Sequence, residues 1–81
     1  MHSVNIRPET AARLLRVQIE NFRRDHGGLR PLYLETSDEV FLQLRSYLRA
    51  RGKWNCFHEA YVMLDGVEVF PIKSDAPNLG G

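Results

Sequence analysis

The side chains best suited to chemistry lie in one short segment, residues 53–58, which contains Cys56 and His58 in a Cys-x-His spacing. If that segment is extended, residues two apart point to the same side, so a thiol nucleophile could meet an imidazole base, with His26 as an alternative base. The sequence supplies neither an oxyanion hole nor a recognisable nucleophile turn beside them. We therefore expect that the protein is not an enzyme.

The same side chains could also ligate a metal ion. A structural zinc site needs a set of four ligands, which normally come in closely spaced pairs such as Cys-x-x-Cys. Cys56, His58 and the distant His2 and His26 give no such pairs, and an isolated cysteine more often behaves as a small buried hydrophobic residue. The sequence predicts no metal ion and no other cofactor.

Arginine-rich segments raise a further option, the binding of phosphate. The net charge of the chain is only +1, but the charges are unevenly distributed. Residues 1–53 contain ten Lys/Arg and six Asp/Glu, whereas residues 54–81 contain one Lys/Arg and four Asp/Glu. The planar guanidinium group suits phosphate because it can bind two oxygens at once. The outer arc of a predicted second helix carries Leu42, Arg45 and Arg49, and these residues define the alternative hypothesis of a nucleic-acid-binding regulator.

Ion pairs within the helices account for the positions of many of these arginines, so no bound phosphate is needed to explain them. In a predicted first helix, Glu20 lies within one turn of Arg16, Arg23 and Arg24, where i,i+3 and i,i+4 ion pairs form. Basic residues at the end of the second helix complement its dipole. Nucleic-acid binding is therefore the second hypothesis rather than the first.

The first hypothesis comes from an apolar hairpin near the C-terminus. Two β-prone segments are joined by Asp65-Gly66, a pair typical of a type I′ turn, so that Leu64 faces Val67. Opposed residues in an antiparallel pair share a side of the sheet, so both sides of this hairpin are largely apolar. One side carries Ala60, Val62, Leu64, Val67 and Val69; the other carries Tyr61, Met63, Phe70 and Ile72, together with the charged Glu59 and Glu68.

Apolar spacing predicts the first helix. Pro8 suits the first helical turn, and Gly27 suits the left-handed position just after the end. Between them, apolar residues recur every three or four positions and form one stripe. These residues are Ala11, Leu15, Ile19 and Phe22.

A strand and a second helix follow. Residues 31–35 alternate and predict a strand, and Thr36 with Glu39 forms a capping box that predicts the helix start. Gly52 marks its end. The apolar arc of this helix comprises Val40, Phe41, Leu44, Tyr47 and Leu48. Beyond it, Trp54 is expected to be mostly buried, capping the open end of the core.

The order helix-strand-helix-strand-strand predicts a small α+β, or mixed α/β, two-layer sandwich. Both helices are expected on one face of a sheet of three or four strands. Residues 4–6 form either a short edge strand, which would be the fourth, or an extended lead into the first helix. Residues 1–73 are predicted to form a single globular domain. Residues 74–81, which end in Gly80-Gly81, are predicted to form a flexible tail.

Composition agrees with a folded domain of this kind. The 81 residues are 43% hydrophobic and 26% charged, which excludes an intrinsically disordered chain. The single cysteine, Cys56, excludes an internal disulfide, and no apolar run has the length of a signal peptide core or a membrane span. We expect a cytoplasmic protein that does not associate with membranes.

Two helices can cover one face of a sheet more easily than they can cover both faces. We therefore expect the side with Tyr61, Met63, Phe70 and Ile72 to be exposed and to bind another protein or a second copy of the chain. The predicted function is a small non-enzymatic interaction module, such as an inhibitor, adaptor or assembly protein. The competing interpretation is that the helices lie on opposite sides of the sheet and bury these residues.

Overall fold

The structure, a computed structural model, describes residues 6–72. In this range the elements are α1 (Pro8–Asp25), β1 (Tyr33–Thr36), α2 (Asp38–Ala50), a 3-10 turn (Trp54–Cys56), β2 (Val62–Leu64) and β3 (Val67–Pro71). The predicted order of helices and strands is confirmed. Residues 4–6, for which the sequence leaves a strand and an extended lead open, fall almost entirely outside the described residues, and the tail predicted at residues 74–81 falls wholly outside them.

Helix α1 begins and ends where the sequence predicts. Pro8 occupies its first turn, where a missing N–H costs no hydrogen bond. At the other end Gly27 has a φ of 65°, and the N–H of Gly28 donates to the carbonyl oxygen of Arg23 at 2.7 Å. This bond satisfies one of the last carbonyl groups of the helix, as in a Schellman motif.

The start of α2 differs from the prediction by one residue. Ser37 is the N-cap, and its Oγ accepts a hydrogen bond from the N–H of Val40 at 3.3 Å. The predicted capping box on Thr36 is wrong, because Thr36 is the last residue of β1 and its carbonyl oxygen accepts a bond from the N–H of Ile72 at 2.8 Å. Parallel pairing with the C-terminal strand therefore keeps Thr36 extended, and the next hydroxyl residue becomes the cap.

Strand β3 lies at the centre of a three-stranded mixed sheet in the order β1-β3-β2. It pairs parallel with β1 and antiparallel with β2. The predicted hairpin register is confirmed, since Leu64 pairs with Val67. Asp65 and Gly66 have φ angles of 53° and 82°, the positive values that a type I′ turn requires at both positions.

Both helices pack on the same face of this sheet, so the predicted two-layer architecture is confirmed and the interpretation with helices on both faces is wrong. The buried residues of α1 and α2 form one cluster with four side chains from the hairpin. The hairpin residues are Val62, Leu64, Val67 and Val69. No helix within residues 6–72 is both long enough and apolar enough to cross a lipid bilayer.

Arg16 links three elements at one end of this cluster. Its Nε donates to Oδ2 of Asp65 in the hairpin turn at 2.9 Å, and a terminal nitrogen donates to the hydroxyl oxygen of Tyr47 on α2 at 3.2 Å. These hydrogen bonds, with Asp65 first and Tyr47 second, raise the pKa of Arg16 above its ordinary value. A raised pKa means that the stabilisation from this group is lost only in strongly alkaline solution, so Arg16 introduces no pH dependence near neutrality.

Replacing Asp65 by Asn tests this link. We expect Asp65→Asn to lower the free energy of unfolding by about 0.2–1 kcal/mol, since an exposed ion pair is screened by water and Asn tolerates the left-handed conformation. The side chains of the pair are 44% and 46% exposed. Urea unfolding should show the loss shrinking as sodium chloride is raised to about 1 M. Glu20→Gln, which removes an ion pair within α1, is the control; a loss at Asp65 that does not change with salt contradicts an ionic link.

Candidate functional site

The sheet face turned away from the helices is lined by aromatic, apolar and acidic side chains. Strand alternation and register place seven residues on it, which we call the open face: Tyr33, Glu35, Tyr61, Met63, Glu68, Phe70 and Ile72. Tyr33 is 55% exposed and Ile72 is 42% exposed, whereas Tyr61, Met63 and Phe70 are half-buried. The four residues predicted from the sequence thus lie on one surface.

Four rings run across the open face in contact with one another, and we call them the aromatic row. His58 stacks on Tyr61 with ring centroids 4.7 Å apart, and Tyr61 lies 5.0 Å from Phe70. Phe70 meets Tyr33 edge to face at 6.0 Å. The row thus runs from β1 across β3 to the segment that enters β2. Stacked and edge-to-face contacts of this kind stabilise aromatic pairs beyond the burial of their surface.

Two carboxylates lie within the open face. Glu68 faces Tyr33 across the parallel pair, and Glu35 faces Phe70. Together these four residues line a shallow depression of about 250 Å³. Among residues 6–72 neither carboxylate forms an ion pair. The open face is therefore both apolar and acidic.

Sequence reasoning missed Tyr33 and Glu35 as members of this surface. The alternation in residues 31–35 shows that the two side chains share a side of the strand, but it does not show which side faces the helices. Only the parallel register with β3, in which Tyr33 pairs with Glu68, places them next to the hairpin. A parallel pair leaves no local turn signal from which this register could be predicted.

A second surface lies on the helical layer, and we call it the basic patch: Arg45, Arg49, Phe57 and Trp54. The guanidinium carbons of Arg45 and Arg49 lie 5.4 and 5.9 Å from the centroid of the Phe57 ring. Neither arginine forms an ion pair within residues 6–72. Leu42, which was predicted to act with these arginines, is 55% exposed on α2.

Trp54 is not buried as predicted; it is 60% exposed. Phe57 takes the expected place instead, since it packs against the core and forms an isolated bridge with Val62. The two rings lie 5.6 Å apart. The 3-10 turn over residues 54–56 leaves Trp54 at its outer side, where the indole extends the basic patch.

Cys56 and His58 do not form the pair that an extended segment would allow. Cys56 lies in the 3-10 turn, half-buried against the core, whereas His58 stacks on Tyr61. His26 lies at the end of α1, where its Nδ1 is 2.8 Å from the carbonyl oxygen of Phe22. In the part of the chain that the structure describes, no three or more His, Cys, Asp or Glu side chains are grouped as they would be to hold a metal ion.

Comparison with known proteins adds no functional information. No protein-family model, curated protein or solved structure matches this chain. The functional interpretation therefore depends on the geometry of the open face and the basic patch.

Adjacent residues of β3 test the assignment of the two sheet faces. We expect Phe70→Lys to remain folded with a loss of about 1–2 kcal/mol in the free energy of unfolding, since the lysine can reach water. Val69→Lys buries the charge in the core, which costs several kcal/mol, close to the whole stability of a small domain of about 5 kcal/mol. Circular dichroism with thermal unfolding measures both. A Phe70→Lys protein as unfolded as Val69→Lys would show that the open face is core.

Proposed function

We propose that this protein is a non-enzymatic protein-protein interaction module that docks its partner on the open face. The observation that carries the proposal is the aromatic row, which lies on the sheet face that the two helices leave uncovered. Aromatic residues and Met are enriched in the cores of protein interfaces. Contiguous exposed apolar patches are uncommon on monomers and usually mark binding sites.

The chemistry of the surface fits docking better than catalysis. A partner that covers the row removes ring surface from water, which is the main favourable contribution to association. Tyr is among the residues that dominate binding energy in interfaces, and Tyr33 and Tyr61 are both present. Such a module would act as an inhibitor, adaptor or assembly protein. The lone Cys56 suits a reducing compartment, and we propose that the protein works in the cytoplasm.

Site-specific photo-crosslinking in the native cell tests this function. With p-benzoylphenylalanine in place of Tyr33 or Ile72, both exposed on the open face, we expect the same discrete protein adduct from both positions. The probe at Leu42, equally exposed on the helical layer, is the matched control and should not give that adduct. Adding Tyr61→Ser and Phe70→Ser should reduce the adduct by more than about 30-fold, the factor that corresponds to about 2 kcal/mol, because one central aromatic residue commonly contributes about that much by itself.

Two results of this experiment would contradict the proposed function. The first is equal labelling from all three probe positions, which indicates random encounter. The second is an adduct that survives the double serine change unaltered in a protein whose circular dichroism shows it folded.

As a second candidate function, we propose that the basic patch binds single-stranded nucleic acid. Arg45 and Arg49 are like charges one helical turn apart, an arrangement that is unfavourable in the absence of an anion. Both approach the ring of Phe57, and the exposed indole of Trp54 beside it offers a surface on which a base can stack. Cationic and aromatic side chains side by side are what single-strand binding proteins use.

Fluorescence polarisation with a labelled single-stranded oligonucleotide of about 20 nucleotides measures this activity. We expect the association constant to fall steeply with salt, by a log–log slope of about −0.7 for each phosphate contact. Arg45→Ala with Arg49→Ala should weaken binding at low salt by about tenfold. Arg13→Ala with Arg24→Ala on α1 removes the same charge from the other helix and should have little effect. Binding that ignores salt, or that responds equally to both pairs, contradicts a role for the basic patch.

A further inference from the structure

We propose that the open face selects a partner segment carrying an arginine or lysine side chain, which is held between Tyr33, Phe70, Glu35 and Glu68. This inference rests on the proposed docking function, and it specifies the chemistry of the partner. The four residues line one depression in the sheet.

The geometry of the depression suits a cation. Tyr33 and Phe70 meet edge to face with centroids 6.0 Å apart, so their ring faces point in different directions. A cation within about 6 Å of such a face is attracted by the negative charge density of the ring. Glu35 and Glu68 lie on neighbouring strands beside these rings, and their carboxylates can accept hydrogen bonds from the same cation.

The charge of the open face leads to the same conclusion. Its two charged side chains are both carboxylates, and neither is paired with a cation in the part of the chain that the structure describes. Glu68 is half-buried at the centre of the sheet. A partner that covers the face would remove water from these carboxylates, so a partner that places a positive charge beside them is favoured over one that does not.

The same charges argue against a second copy of this chain as the occupant. A symmetric dimer through the open faces would bring the carboxylates of one copy close to those of the other. Like charges brought together in an interface cost free energy and suppress association. Arg45 of α2 lines a cavity with Tyr61 and Phe70 at one edge of the open face, whereas Glu35 and Glu68 lie in the depression beside Tyr33.

Arginine fits the depression better than lysine. Its planar guanidinium stacks on an aromatic face and presents several N–H donors in a fixed fork. A lysine ammonium can occupy the same place as a point charge but cannot pair with a carboxylate through two parallel bonds. We therefore expect the partner segment to prefer arginine.

Titration of the isotope-labelled protein with synthetic peptides, followed by ¹⁵N–¹H NMR, tests the inference. The probes are three heptapeptides in which threonine alternates with arginine, norleucine or glutamate. We expect the arginine peptide to shift the amides of β1 and β3 and to bind about tenfold more tightly than the norleucine peptide, and the glutamate peptide to bind weakest.

Two double variants with the same net charge distinguish an effect of the carboxylates in the depression from an effect of the total charge of the protein. Glu35→Gln with Glu68→Gln keeps the shape of the depression and should abolish the preference for the arginine peptide over the norleucine peptide. Glu20→Gln with Glu39→Gln removes two carboxylates from the helical layer and should leave the preference intact.

Each contrary outcome is informative. If the norleucine peptide binds the open face as tightly as the arginine peptide, the cation inference is overturned while the docking function stands. If no peptide shifts the open face, the inference is overturned and the photo-crosslinking from Tyr33 decides the docking function separately. If the unliganded protein sediments as a dimer that Tyr61→Ser with Phe70→Ser dissociates, the occupant is a second copy and the inference is wrong.

Discussion

The structure depends on the one-sided burial of a three-stranded sheet. Both amphipathic helices contact the same face, where Val62, Leu64, Val67 and Val69 complete the core. Burial of apolar area is the main favourable contribution to folding. Two helices of this length cover one face of the sheet and leave none of their apolar surface for the other face. Burial of the other face depends on contacts within the sheet. Its rings therefore pack on one another, and the aromatic row is a consequence of the helix arrangement.

Charge is divided between the two layers. The helical layer carries the arginines of α1 and α2, while the described open face carries Glu35 and Glu68. Arg16 adds a polar link between the layers at one end of the core, because its guanidinium donates hydrogen bonds to both the hairpin turn and α2. The two candidate sites differ in charge but adjoin each other, because Arg45 of the basic patch lines the same cavity as Tyr61 and Phe70 of the aromatic row.

Several features of the fold could be predicted because they depend on local sequence. The helix stripes, the left-handed Gly27 and Gly52 after the helices, and the Asp65-Gly66 turn each follow from a few neighbouring residues. Two predictions were wrong, one because of a distant contact and one because of the local turn over residues 54–56. Thr36 was predicted as a cap, but pairing of β1 with β3 keeps it extended and leaves the cap to Ser37. The predicted burial of Trp54 failed because Phe57 takes that place.

The sequence by itself determined which residues form helices and strands, the register of the hairpin and the shared surface of Tyr61 and Phe70, since these follow from backbone periodicity and turn chemistry. Only the tertiary structure decided that both helices cover the same face and that Tyr33 and Glu35 join the other. Parallel pairing of β1 with β3 connects residues more than thirty positions apart in the chain. No local turn specifies such a register, because parallel strands are joined by a long crossover connection and not by a tight turn.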